Sequence, residues 1–153
     1  MAKNFAQCKG QRAERAAIEL LQPIVDECYT LLGLEQVRLQ RNTLQSDGGG
    51  CDIVGLDWIA LEIKHQETLN VRAWWDQCVS QAKVRIIKNG ICKGIEVRQE
   101  PILMYKQNNV KWKVMMYGLL TTGGHQNVRC PVEISLESFL LYFKLRLMKE
   151  LTE

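Results

Sequence analysis

Around Gly55-Leu56-Asp57 the chain reads as two extended segments, Cys51–Val54 and Trp58–His65, folded back on each other by a turn. This pairing restricts the fold more than any other stretch. An antiparallel ladder in that register sets Asp52 opposite Glu62. Side chains alternate along a strand, so Asp52, Val54, Ala60, Glu62 and Lys64 fall on one face, while Ile59, Leu61 and Ile63 point into a core. Two carboxylates and an ammonium therefore stand on an apolar platform. Carboxylates this close repel unless a cation lies between them, and clustered hard oxygens suit magnesium, with manganese as a substitute, better than zinc. Lys64 is then placed to position an attacking water or to stabilise charge developing on a phosphate.

Helical periodicity surrounds this hairpin. From about Gln11 to Leu32, Ala17, Ile18, Leu21, Val25, Cys28 and Leu32 recur at helical spacing; Pro23 predicts a kink or a second helix start, and Gly33 closes the segment. Glu14 precedes Ala17, Ile18 and Leu21 by three, four and seven residues, which puts a carboxylate on the buried stripe and in want of a partner. Val37–Leu44 reads as a first strand, and Ser46-Asp47-Gly48-Gly49-Gly50 as the loop that leads to Asp52.

Asn70 is a candidate N-cap for a helix from about Val71 to Lys88, with Trp75, Val79, Ala82 and Ile86 as its core stripe and Gln77, Gln81 and Lys88 as a polar row. Ile102–Tyr105 and Val110–Tyr117 form a second hairpin through Gln107-Asn108-Asn109, with Trp112, Val114 and Met116 on one face. Ser135 caps a final helix, about residues 135–150. Its Leu136, Phe139, Leu140, Leu141, Phe143, Leu145, Leu147 and Met148 leave more than one face to bury, which predicts a homodimer surface.

The chain's 153 residues, 46% of them apolar, suit one domain with a substantial core. Cysteines at 8, 28, 51, 78, 92 and 130, with only His65 and His125 beside them, show no paired spacing for structural zinc. The start Met-Ala-Lys-Asn-Phe lacks a signal-peptide core, so reduced thiols and a cytoplasmic setting are expected, and no apolar run is long enough for a membrane span. Net charge is only +3, but residues 83–113 carry eight basic residues against Glu96 and Glu100, a local balance of +6 and a candidate phosphate-facing surface. Lys83, Arg85 and Lys88 belong to it.

Asp52, a spacer and Glu62-Ile63-Lys64 on a hairpin resemble the PD-(D/E)XK nuclease superfamily, with Cys51 in place of the proline of the family's name. Lys9-Gly10-Gln11-Arg12-Ala13-Glu14-Arg15 is similar to the first-helix signature of its phage and archaeal Holliday junction resolvase branch, and Trp74 to Ala82 and Glu100 to Lys106 are similar to phage members. The likeness spans roughly residues 9 to 117.

It implies an α/β, restriction-endonuclease-like sandwich, a central mixed sheet flanked by helices. It further implies a magnesium-dependent endonuclease, in which Asp52, Glu62 and Glu14, with the main-chain carbonyl of Ile63, hold the metal. Lys64 would act on the water, and Gln77 and Gln81 would help fix lysine, water or phosphate. Lys9 and Arg12, with Lys83, Arg85 and Lys88, would meet branched or double-stranded DNA. Two readings stand beside junction resolution: a nuclease of the same fold acting on flaps, ends or single strands, and a non-catalytic DNA-binding or assembly protein.

Overall fold

A computed structural model describes residues 2–43, 50–82, 84–87 and 95–153, without the side chains of 2–4, 84–87 and 95–98. Lys83 and Lys88 of the expected basic surface lie outside the described residues, as do residues 44–49 of the expected first strand and glycine loop.

The first helix, α1, runs Ala2–Leu31 without interruption, with Pro23 inside it. Ala13, Ala17, Leu21, Val25 and Cys28 are its buried stripe, as the periodicity predicts. Pro23 faces out and neither ends the helix nor starts another. Gly33 closes α1 as a Schellman turn: its φ is 65°, its N–H donates to Thr30 O at 3.1 Å, and Leu34 N–H reaches back to Tyr29 O at 2.9 Å.

The extended segment that follows is shorter than its composition predicts. Strand β1 is only Gln40–Arg41, β2 is Ile53–Val54, and β3 is Ile59–His65. Between β2 and β3 the turn needs Gly55, whose φ is 129° and whose missing Cβ would come within 3.0 Å of Arg38 O.

Helix α2 spans Val71–Gln81, not Val71 to Lys88. Val84–Ile87 instead form β4, antiparallel to β5 at Ile95–Arg98, because β-branched residues favour a pleated ribbon over a further helical turn. Accordingly the buried side of α2 is Trp74, Trp75 and Cys78, and Ala82 and Ile86 are not part of it. Asn70 occupies the N-cap position but makes no side-chain cap.

Strands β6 (Glu100–Lys106), β7 (Lys113–Thr121) and β8 (Asn127–Ser135) complete the main sheet, in the order β1-β2-β3-β6-β7-β8. The sheet is mixed: β3 and β6 are parallel, and every other neighbouring pair is antiparallel. Helix α3, Leu136–Thr152, starts at Ser135, whose hydroxyl accepts from Ser138 N at 3.1 Å.

Alternation along β3, β6 and β7 sorts the core into two layers. Ile59, Leu61, Ile63, Ile102, Met104, Val114 and Met116 pack under α1 and α3. Leu103 and Tyr105, with Met115 and Tyr117, pack under Trp74, Trp75 and Cys78 of α2. The protein is thus α/β, with helices on both faces of a mixed six-stranded sheet.

The aromatic residues of α3 do not form the expected dimer surface. Phe139 and Phe143 are 0% exposed and fill the core of their own chain against Trp58, so they offer nothing to a second copy. The exposed apolar residues of α3 are Leu141 at 62% and Leu145 at 63%. Among the described residues no helix is long and apolar enough to cross a membrane.

Candidate functional site

The β2–β3 register pairs Ile53 with Leu61 and stops there, so the expected ladder pair of Asp52 with Glu62 is not part of it, although Asp52 lies close enough for its charge to act on the Glu62 carboxyl. Asp52 lies just before β2, yet its N–H still donates to Leu61 O at 2.8 Å. Its side-chain Oδ2 accepts from Ile63 N at 2.6 Å. The ladder between β2 and β3 ends there, and without Asp52 the inward Ile63 N–H would be left as a buried donor without an acceptor.

Glu62 departs further from a half-solvated strand. It is 2% exposed, because α2 covers its face and lays the Cys78 thiol 4.0 Å from Ala60 O. Lys64 Nζ sits 2.6 Å from Glu62 Oε1, while Oε2 is buried with no hydrogen-bond partner. Burial, and secondly the charge of Asp52, hold the Glu62 carboxyl above its ordinary range, with Lys64 opposing. Burial also pushes up the neighbouring Cys51 thiol.

Glu14 reaches the same place from α1. It lines a cavity of about 630 Å3 together with Asp52, Ile63, Lys64 and Lys9. From β1, Arg41 Nε donates to Glu14 Oε2. Arg41 was not among the residues the motifs single out; the one signal for it was that a carboxylate on an apolar stripe needs a partner.

The glutamines of α2 are less well engaged. Gln77 is exposed, whereas Gln81 is half-buried with Oε1 buried and unpartnered. Among the described residues no hydrogen bond joins either of them to Glu62 or Lys64. Lys9 lines the cavity and pairs with Glu67 at 3.2 Å, and Arg12 lies seven residues from Phe5 on the same helix, at an adjoining cavity. Arg85 falls on β4, away from the main sheet's ladder, and its side chain is not described.

Among the described residues no three His, Cys, Asp or Glu side chains already converge on one point as a cation cage. The donor chemistry nevertheless fits a hard divalent ion. Glu62 presents a buried oxygen without a partner, Asp52 is near enough to act on its charge, and Asp52 and Glu14 line one cleft. Ile63 adds its carbonyl, since the N–H and C=O of one strand residue point to the same side and its N–H points at Asp52.

No family model, no curated protein and no solved structure matches this chain.

Proposed function

We propose that the protein is a magnesium-dependent, structure-specific DNA endonuclease with a restriction-endonuclease-like fold. The observation that carries the reading is the unpartnered Glu62 Oε2: a buried carboxylate oxygen is costly to leave without a partner, and here Asp52 and Lys64, the residues near enough to act on its charge, both line the adjoining cleft. A purely structural ion pair would satisfy both oxygens.

In this reading Asp52, Glu62, Glu14 and the Ile63 carbonyl hold the cation. When bound, magnesium supplies charge neutralisation and Lewis acidity at the scissile phosphate. Lys64, tethered by Glu62 Oε1, orients a water for in-line attack on phosphorus. One P–O bond forms, the opposite P–O bond breaks, and the departing oxygen takes up a proton. Arg41 pairs with Glu14 and would offset its charge until a cation does so.

Four-way junctions are the proposed preferred substrate, on the strength of the sequence resemblance, and two symmetric cuts would require a homodimer. The outer face of α3, at Leu141 and Leu145, is the surface available for that contact. The test is cleavage of labelled four-way junction, fork, flap, duplex and single strand side by side, in magnesium and in EDTA. Metal-dependent cutting with a preference for the junction supports the reading. Equal cutting of flaps and duplex replaces the junction by a broader set of DNA substrates. Binding without cutting leaves a non-catalytic DNA-binding protein.

A further inference from the structure

Helix α1 presents Phe5, Lys9 and Arg12 at spacings of four and three residues, one stripe of the helix surface. Two adjoining cavities share Phe5, Lys9 and His65. The larger is lined by Glu14 and Asp52, and the smaller, about 260 Å3, is bounded by Arg12 and Asn108. A continuous groove therefore runs from Asp52 and Lys64 along the N-terminal part of α1.

Its chemistry is that of a strand-tracking surface. Lys9, Arg12 and Lys64 are positive along the groove, and Lys106 is close enough to His65 for its charge to help depress the imidazole pKa, after burial and Lys9. Glu67, the partner of Lys9, is itself exposed, so that pair is readily exchanged for an anion. Phe5 is 75% exposed at the lip of both cavities, an aromatic ring that nothing among the described residues covers. On the groove wall His65 Nε2 is buried without a hydrogen-bond partner. Cationic side chains beside an exposed aromatic are the combination by which unpaired strands are held, with sequence-tolerant stacking on the ring and phosphates on the cations. A double helix is too wide for the smaller cavity, whereas an unpaired base and its phosphate are of its size.

We propose that this groove binds an unpaired nucleotide of the DNA strand beside the cleavage position, its base stacked on Phe5 and its phosphodiester held by Lys9 and Arg12. The inference rests on the nuclease reading for where the strand is cut, but not for the binding itself.

The experiment measures binding by fluorescence anisotropy in EDTA, using a splayed fork with oligothymidine arms and a blunt duplex of the same paired length. A second probe carries 2-aminopurine in one arm. Wild type is expected to bind the fork more tightly than the duplex and to quench 2-aminopurine. Phe5→Ala, an exposed position whose melt should be unchanged, is expected to lose about tenfold on the fork, abolish the quench and leave duplex binding alone. Arg12→Ala should weaken fork binding and flatten its salt dependence. Phe5→Ala binding the fork as wild type does, or losing equally on fork and duplex, overturns the proposal. If these binding results hold but magnesium never supports cleavage, the nuclease reading fails and the groove stands. Cleavage with no effect of Phe5→Ala removes the groove alone.

Discussion

Lys64 Nζ lies 2.6 Å from Glu62 Oε1, so the ammonium is held by the carboxylate two residues before it on the same strand. A compact ammonium suits that geometry, and a broad planar guanidinium does not. Lys64→Arg is expected to lose single-turnover cleavage almost as fully as Lys64→Ala, by about two orders of magnitude or more. Restoration of most of the rate by arginine would show that charge alone matters.

Glu62 makes the fold sensitive to pH. Its carboxyl is held high first by burial and then by Asp52, so the folded chain binds that proton more tightly than the unfolded chain does. Stability from this group is therefore full below the ordinary carboxylate value and declines as pH rises through the raised one. In EDTA the wild-type Tm should fall as pH rises above the ordinary carboxylate range, and Glu62→Gln should flatten that slope and melt a few degrees higher at the alkaline end. Added magnesium should raise the wild-type Tm by mass action and leave the variant unmoved. Thermal melts across pH, with and without the metal, check both statements.

Asp52 has a structural task besides the chemical one proposed for it. Alanine leaves the Ile63 N–H without the acceptor 2.6 Å away, at a cost of about 1–3 kcal/mol, while asparagine keeps an acceptor oxygen. Both variants should lose cleavage, but only Asp52→Ala should lose several degrees of Tm. Equal melts for the two would show that the bond contributes nothing.

For α3 the expectation divides by face. Phe139→Glu or Phe143→Glu buries an unpaired charge in a closed core and should abolish cooperative folding. Leu141→Glu and Leu145→Glu sit in water and should keep the wild-type melt. Sedimentation at matched concentrations should then show a dimer for wild type and a monomer for Leu145→Glu; a dimer unaffected by both leucine changes places the contact elsewhere.

Much of the site was legible because its signals are local. Alternation through β3, the turn at Gly55 and the ladder arithmetic between Ile53 and Leu61 all lie within a dozen residues. The stripe of α1, the Gly33 ending and the Ser135 cap are equally short-range. What periodicity cannot carry is which face another element will cover. Glu62 reads as a half-exposed strand residue, since charged residues are seldom buried, and only the docking of α2 closes over it. Arg41 meets Glu14 across 27 residues. The helical reading through Ile86 failed where an apolar, β-branched run satisfies either period. Strand β8 alternates Val128, Cys130, Val132 and Ile134, but Pro131 argues against a central strand; the structure resolves this by putting β8 at the sheet edge.

The parallel pairing of β3 with β6 separates two times in the life of the molecule. The β2–β3 hairpin closes a short loop, whereas β3 meets β6 only after a loop of some forty residues, containing α2, has closed. The carboxylates therefore find each other through contacts of low order, and the cover that dehydrates Glu62 arrives through contacts of high order. With magnesium bound as proposed, refolding should show the ion altering the unfolding rate far more than the folding rate, because the cover over Glu62 depends on the contacts of higher order.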